Sequence, residues 1–141
     1  NVRFGDPETQ AVLPLLDSDL AAIFQSATHG RLKPESVCWK SGVTSVCVVA
    51  ASGGYPGEYR DGKVITGLEK IADSLVFHAG TGLNKQGQLV TAGGRVINLV
   101  HLAATVDEAI KGVYHDMEKI YFEGICYRND IGRRELNRSH P

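Results

Sequence analysis

Hydrophobic and polar residues change period several times along the chain, and each change marks a new kind of element. At the start, Val2 and Phe4 alternate with Asn1 and Arg3, the pattern of a strand with one polar face. Gly5 ends that strand. Asp6 followed by Pro7 predicts a helix N-cap with proline at the first helical position. The helix is expected over 7–16 and is limited by Pro14, because an interior proline removes a backbone donor and clashes with the preceding turn. Leu20, Ile23, Phe24 and Ala27 follow helical spacing, which predicts a second helix capped by Asp17 or Ser18 and closed by Gly30 in a left-handed conformation. Residues 31–35, with Pro34, read as a boundary.

From Ser36 the period shifts to that of strands. Residues 37–40 and 44–51 are β-rich runs separated by Ser41, Gly42 and Val43, the pattern of a hairpin. The second run is apolar on both faces, so it is expected at the centre of a sheet. Residues 52–62 hold four glycines and a proline and are expected as loop. Short strands are predicted at 64–66, 75–79, 88–91, 95–102 and 124–127, with one helical turn at 68–72 and a turn region over 80–87. The clearest helix spans 106–120. Thr105 and Glu108 have capping-box spacing, and Val106, Ala109, Ile110, Val113, Met117 and Ile120 form one apolar stripe. The predicted class is α+β: a strand and two short helices, then an antiparallel, barrel-like sheet covered by one long helix.

Composition narrows the function classes. A net charge of −1 over 141 residues gives no electrostatic footprint for nucleic acid or an anionic membrane. The longest apolar runs, 46–51 and 96–104, are too short to span a bilayer. Cys38, Cys47 and Cys126 are widely spaced with no Cys-x-x-Cys pair, which argues against zinc and fits a reducing cytoplasm. Cys47 lies in an apolar run and reads as a small core residue. His78, in an apolar strand, reads as a hydrogen-bonded structural residue, and Lys40, Arg128, Arg133 and Arg134 as solvated charges.

Three places carry candidate chemistry. The opening segment holds Asn1, Arg3, Asp6 and Glu8 where a strand, a turn and a helix N-terminus would meet, an arrangement suited to anions. Gly93 and Gly94 leave backbone uncovered beside Arg95, which suits close approach of a phosphate; the competing reading is a β-bulge with an exposed arginine. The third place is the glycine-rich run 52–57, with Tyr55, which either lines a cleft or serves as a flexible connector.

These residues belong to a wider resemblance. Asn1 to Gln10, Ala51-Ser52-Gly53-Gly54-Tyr55-Pro56-Gly57, Lys63-Val64-Ile65-Thr66-Gly67, Val76-Phe77-His78-Ala79-Gly80-Thr81, Thr91-Ala92-Gly93-Gly94-Arg95-Val96 and Phe122-Glu123-Gly124 through Ile131-Gly132 resemble, in order and spacing, the C-terminal third of the phosphoribosylamine–glycine ligase family. The resemblance implies that 1–32 closes an ATP-grasp domain, that 33–137 is a β-rich C-terminal domain, and that 138–141 is a tail. It also implies a parent enzyme of purine biosynthesis. With ATP as co-substrate and Mg2+ or Mn2+, that enzyme joins glycine to 5-phosphoribosylamine through a glycyl phosphate. The expected partners are those substrates and the remainder of the ATP-grasp domain, and the chain alone is expected to be inactive.

Residue by residue, the resemblance makes Asn1 a metal ligand without the glutamate that accompanies it in the family. Arg3 becomes the catalytic cation. Arg95, with Gly93 and Gly94, becomes the holder of the ribose 5-phosphate. On the residues themselves, Asp6 is a helix cap alone or a cap that also partners the ammonium of glycine, Glu8 complements a helix dipole, and Tyr55 either lines the substrate cleft or rides on a flexible connector. The alternatives are a stand-alone β-barrel docking module and a piece of another ATP-grasp ligase.

Overall fold

The structure is a computed structural model that describes residues 2–136. Its central strand is β1, Thr44–Ser52, paired on one edge with β5, Arg95–Ala103, and on the other with β6, Ile125–Cys126. β2, Leu75–His78, adds to the far edge of β5, so the sheet runs β2-β5-β1-β6 with every pair antiparallel. β3, Thr81–Leu83, and β4, Leu89–Thr91, form a separate hairpin. Among the described residues four α-helices lie around these: α1 at Glu8–Val12, α2 at Leu20–Thr28, α3 at Val106–Met117 and α4 at Arg133–Leu136. The class is α+β with an antiparallel sheet, as expected.

The central place of β1 follows from its sequence. Val46, Val48 and Ala50 stand opposite His101, Leu99 and Ile97, and this face meets the stripe Ala109, Val113 and Met117 of α3. Each large aliphatic side chain removed from water there stabilises the fold by about 1.5–3 kcal/mol. α3 starts where the sequence predicts. Thr105 Oγ1 accepts from Glu108 N at 3.2 Å, and Thr105 N donates to Glu108 Oε2 at 3.1 Å. The second face of β1 carries Ser45, Cys47, Val49 and Ala51, opposite Leu102, Val100, Asn98 and Arg95. α1 lies against this face, which is why β1 is apolar on both sides.

Four local expectations are corrected. Residues 2–5 form no strand: Val2 and Phe4 are exposed, and alternation along a segment supplies no neighbouring chain to pair with. The Asp6 carboxylate does not cap α1. It turns away to Gln10 and Arg95, leaving Pro7 at the cap position with no side-chain bond. α2 is capped by Asp19, not Asp17 or Ser18. Asp19 Oδ1 accepts from Ala21 N and Ala22 N, while the Ser18 hydroxyl donates to Ser36 O and accepts from Cys38 N.

The fourth is the expected hairpin of 37–40 with 44–51. The first run is held by the chain after α1 instead, through Lys40 N to Leu15 O, Asp17 N to Cys38 O and a bridge between Leu16 and Trp39. β1 pairs with β5 along its length and with β6 only at Ala51 and Ser52. Two smaller differences concern strand length. Residues 64–66 make single bridges to Val90 and Tyr121 rather than a strand, and part of the expected 80–87 turn extends as β3. Gly30 closes α2 with φ +63°, as expected. The expected tail, 138–141, lies outside the described residues.

Candidate functional site

A β-bulge builds the site. Ala50 pairs with Ile97 but Ala51 pairs with Arg95, so Val96 is an extra residue in β5 and Arg95 is turned onto the second face of the sheet. There the guanidinium is held from two sides. Nε donates to Asp6 Oδ2 at 3.0 Å, Nη2 forms an ion pair with the same oxygen at 2.9 Å, and Nη1 donates to the Tyr55 hydroxyl at 2.6 Å. The guanidinium carbon also lies 5.8 Å from the centre of the Tyr55 ring. Hydrogen bonding to Asp6 holds Arg95 even more firmly charged than an ordinary arginine. Both side chains of the ion pair remain more than a third exposed, at 38% and 36%, so the pair adds little to stability and much to orientation. Two of the five guanidinium N–H groups donate to Asp6 and Tyr55, and Nη1 and Nη2 retain N–H groups for a ligand.

Gly94 is part of the same construction. The expected uncovered backbone is not found: Gly94 is buried against the Tyr55 ring, so a Cβ at this position would collide with the ring, and the glycine serves close approach of that ring. Gly93 O accepts from the Ser52 hydroxyl at 2.9 Å, which ties the glycine pair to the end of β1. Gln10 completes the network. Its Nε2 donates to Asp6 Oδ1 at 3.0 Å, so α1 fixes Asp6, Asp6 fixes Arg95, and Arg95 fixes the loop carrying Tyr55. Sequence reasoning missed Gln10. The available signal was its spacing of four from Asp6, the distance at which a glutamine and an aspartate meet along a helical turn.

The network has a buried underside. The Gln10 Oε1, the Ser45 hydroxyl and both polar atoms of the Asn98 amide are buried without hydrogen-bond partners among the described residues. Beside Arg95 opens a cavity of about 460 Å3 lined mainly by carbon, to which Arg128 also contributes. Arg128 is exposed, as expected, and is also paired. Its Nε and Nη2 donate to Asp130 Oδ1 and Oδ2 at 2.8 and 2.7 Å, and that pairing lowers the Asp130 carboxyl below its ordinary range.

Thus Asp6, Tyr55, Gly93, Gly94 and Arg95, predicted from three separate stretches, lie together. Arg3 is exposed and stands outside this network. Asn1 lies outside the described residues. Among those residues no cluster of His, Cys, Asp or Glu is placed to hold a metal ion. The loop after β1 also borders a second, polar hollow of about 370 Å3, where Lys63 meets Glu123 at 2.7 Å. His78 hydrogen-bonds to Thr81, in keeping with a structural role.

The fold defines the chain as an α+β domain on an antiparallel sheet. Residues 45–134 match the family described as phosphoribosylglycinamide synthetase, C domain, and the chain belongs to that family. It is 50% identical over 131 residues to the phosphoribosylamine–glycine ligase of Caldanaerobacter subterraneus, covering 93% of this chain and 31% of the relative. With the Escherichia coli O6:H1 ligase of the same name it shares 46% identity over 140 residues, 98% of this chain and 32% of the relative. The crystal structure of a phosphoribosylamine–glycine ligase from Thermotoga maritima superposes with a TM-score of 0.79 at 38% identity, over 92% of this chain and 32% of that one. The chain therefore spans about a third of the length of these relatives.

Proposed function

We propose that this chain is the C-terminal portion of a phosphoribosylamine–glycine ligase and supplies the wall of the site that holds the amine substrate. In that reading 1–32 ends an ATP-grasp domain and 33–137 is a C-terminal domain whose sheet curves toward a barrel. The single observation that carries the reading is the arginine on the bulge. Arg95 is fixed by Asp6 and Tyr55 with N–H groups to spare, beside a glycine that lets the Tyr55 ring pack close enough to hold it.

Such a guanidinium can grip a phosphate through paired hydrogen bonds. The 5-phosphate of phosphoribosylamine would rest there. Tyr55 and Asp6 hold the guanidinium in place, so little order is lost on binding. Arg3 would balance charge as phosphate leaves the glycyl phosphate. ATP is the co-substrate of this reading, and Mg2+ or Mn2+ would neutralise its phosphates. The described residues offer no donor set for that cation, so no step here runs through it. Exclusion of water protects the acyl phosphate and would require the remainder of the longer protein. The same reading places the reaction in a reducing cytoplasm, without nucleic acid or membrane as partner.

The test uses the full-length ligase. Arg95→Ala should raise the KM for phosphoribosylamine at least about tenfold, the cost of a lost charge-assisted bond of about 1.5–3 kcal/mol. The KM for ATP should stay within about twofold. An unchanged KM for phosphoribosylamine removes Arg95 from the site and favours a docking role for this domain.

A further inference from the structure

The cavity beside Arg95 is larger and more apolar than a ribosyl phosphate requires. Its volume, about 460 Å3, falls within the range of small-molecule sites. Val49 and Ala51 of β1 and Cys126 of β6 contribute the sheet side, and Tyr55, Pro56 and Tyr127 contribute the rest of the apolar lining. A sugar placed there would bury hydroxyls against carbon, at about 1–3 kcal/mol for each one left unpaired. A flat heteroaromatic ring would not. It can stack on an aromatic side chain, a contact worth about 1–3 kcal/mol. Arg128 also lines the cavity, with N–H groups beyond the two given to Asp130 available to the polar rim of such a ring.

We infer that this cavity receives the base of a nucleoside monophosphate whose 5′-phosphate sits on Arg95, so that such nucleotides compete with the amine substrate. The inference rests on the reading of Arg95 as the holder of a ribosyl phosphate. A nucleoside monophosphate carries the same ribose 5-phosphate and adds the one group that matches the lining. The amine substrate fills the Arg95 end only, whereas the nucleotide fills both ends. The base is the specificity element and Tyr127 is its stacking partner.

Calorimetric titration of the full chain with guanosine 5′-monophosphate and with ribose 5-phosphate tests this. The nucleotide should bind at least about tenfold more tightly, as one stacked base implies, and ribose 5-phosphate should displace it. Tyr127→Ser should weaken the nucleotide about tenfold and leave ribose 5-phosphate within about twofold. Arg95→Met should weaken both. Amide NMR signals of Val49, Ala51 and Tyr127 in the unaltered chain should move with the nucleotide and not with ribose 5-phosphate. That measurement keeps the question open to refutation should a variant fold poorly. Ribose 5-phosphate bound through Arg95, with the nucleotide no tighter or indifferent to Tyr127→Ser, overturns the cavity inference alone. Nucleotide bound without dependence on Arg95 overturns the phosphate reading and the competition together.

Discussion

Cys47 shows how one residue's chemistry is set by its surroundings. Burial on the second face of β1 pushes its thiol up to about 11, and the Asp6 carboxylate adds to the shift. A raised pKa keeps the thiol neutral in the fold. Its contribution to stability is therefore complete below an ordinary thiol pKa near 9 and is lost as pH rises through about 11. At pH 8 a thiol reagent should label the exposed Cys38 and Cys126 and spare Cys47, as peptide mass spectrometry would report. Gly94 carries a second residue-scale prediction. Gly94→Ala places a methyl group against the Tyr55 ring, so it should destabilise the chain by about 1–3 kcal/mol in urea unfolding. It should also weaken ribose 5-phosphate binding by displacing the hydroxyl that holds Arg95. Full-strength binding with Gly94→Ala would separate Tyr55 from the site. The residue types Asp, Gly-Gly-Arg and Tyr were legible as candidate chemistry because each is suited to anions or close backbone approach. That Arg95 faces Asp6 was not legible, because the bulge that turns it is a property of strand pairing.

Among the elements, α3 was the most readable, since its cap and its stripe are local features of 3.6-residue period. Its C-terminal end is secured by a contact that spacing alone does not reveal. Asp116 is buried, yet its carboxylate accepts from Lys119 Nζ at 2.7 Å and from Ser74 N at 3.1 Å. Burial pushes that carboxyl up, and Lys119 with Ser74 outweighs it, holding it below the ordinary range. The depressed pKa means a stabilising contribution that is present above the unfolded carboxyl value and is lost as pH falls through the folded one. Lys119→Met should cost about 1–3 kcal/mol at pH 7 and should flatten the loss of stability on acidification, measured by urea unfolding at pH 7 and pH 3. An unaltered acid limb would assign the acid sensitivity to other carboxylates. The strand elements were legible in kind but not in partner. Residues 37–40 and 2–5 have strand composition, and neither finds a ladder.

At the scale of the whole molecule, α2 is the element with the least to do. It is apolar in composition, yet none of its residues is buried, and Phe24 is exposed apart from a ring contact with Phe4. In the proposed reading the remainder of the longer ligase covers it. Phe24→Asp should then shift the stability of this chain by less than about 0.5 kcal/mol, while lowering the melting temperature of the full-length ligase by several degrees. Equal effects in both would remove α2 from that contact. Hydrophobic period and capping residues, both short-range, were enough to specify the class, the central place of β1 and the long helix, and the resemblance of the ordered motifs pointed to the family. Register, the bulge, the choice of Asp19 as cap, and the meeting of α1, β5 and the Tyr55 loop at Arg95 depend on which distant groups compete for the same hydrogen bonds. Asp6 could cap a helix or pair with a guanidinium 89 residues away, and only the folded chain brings that second partner within 3.0 Å.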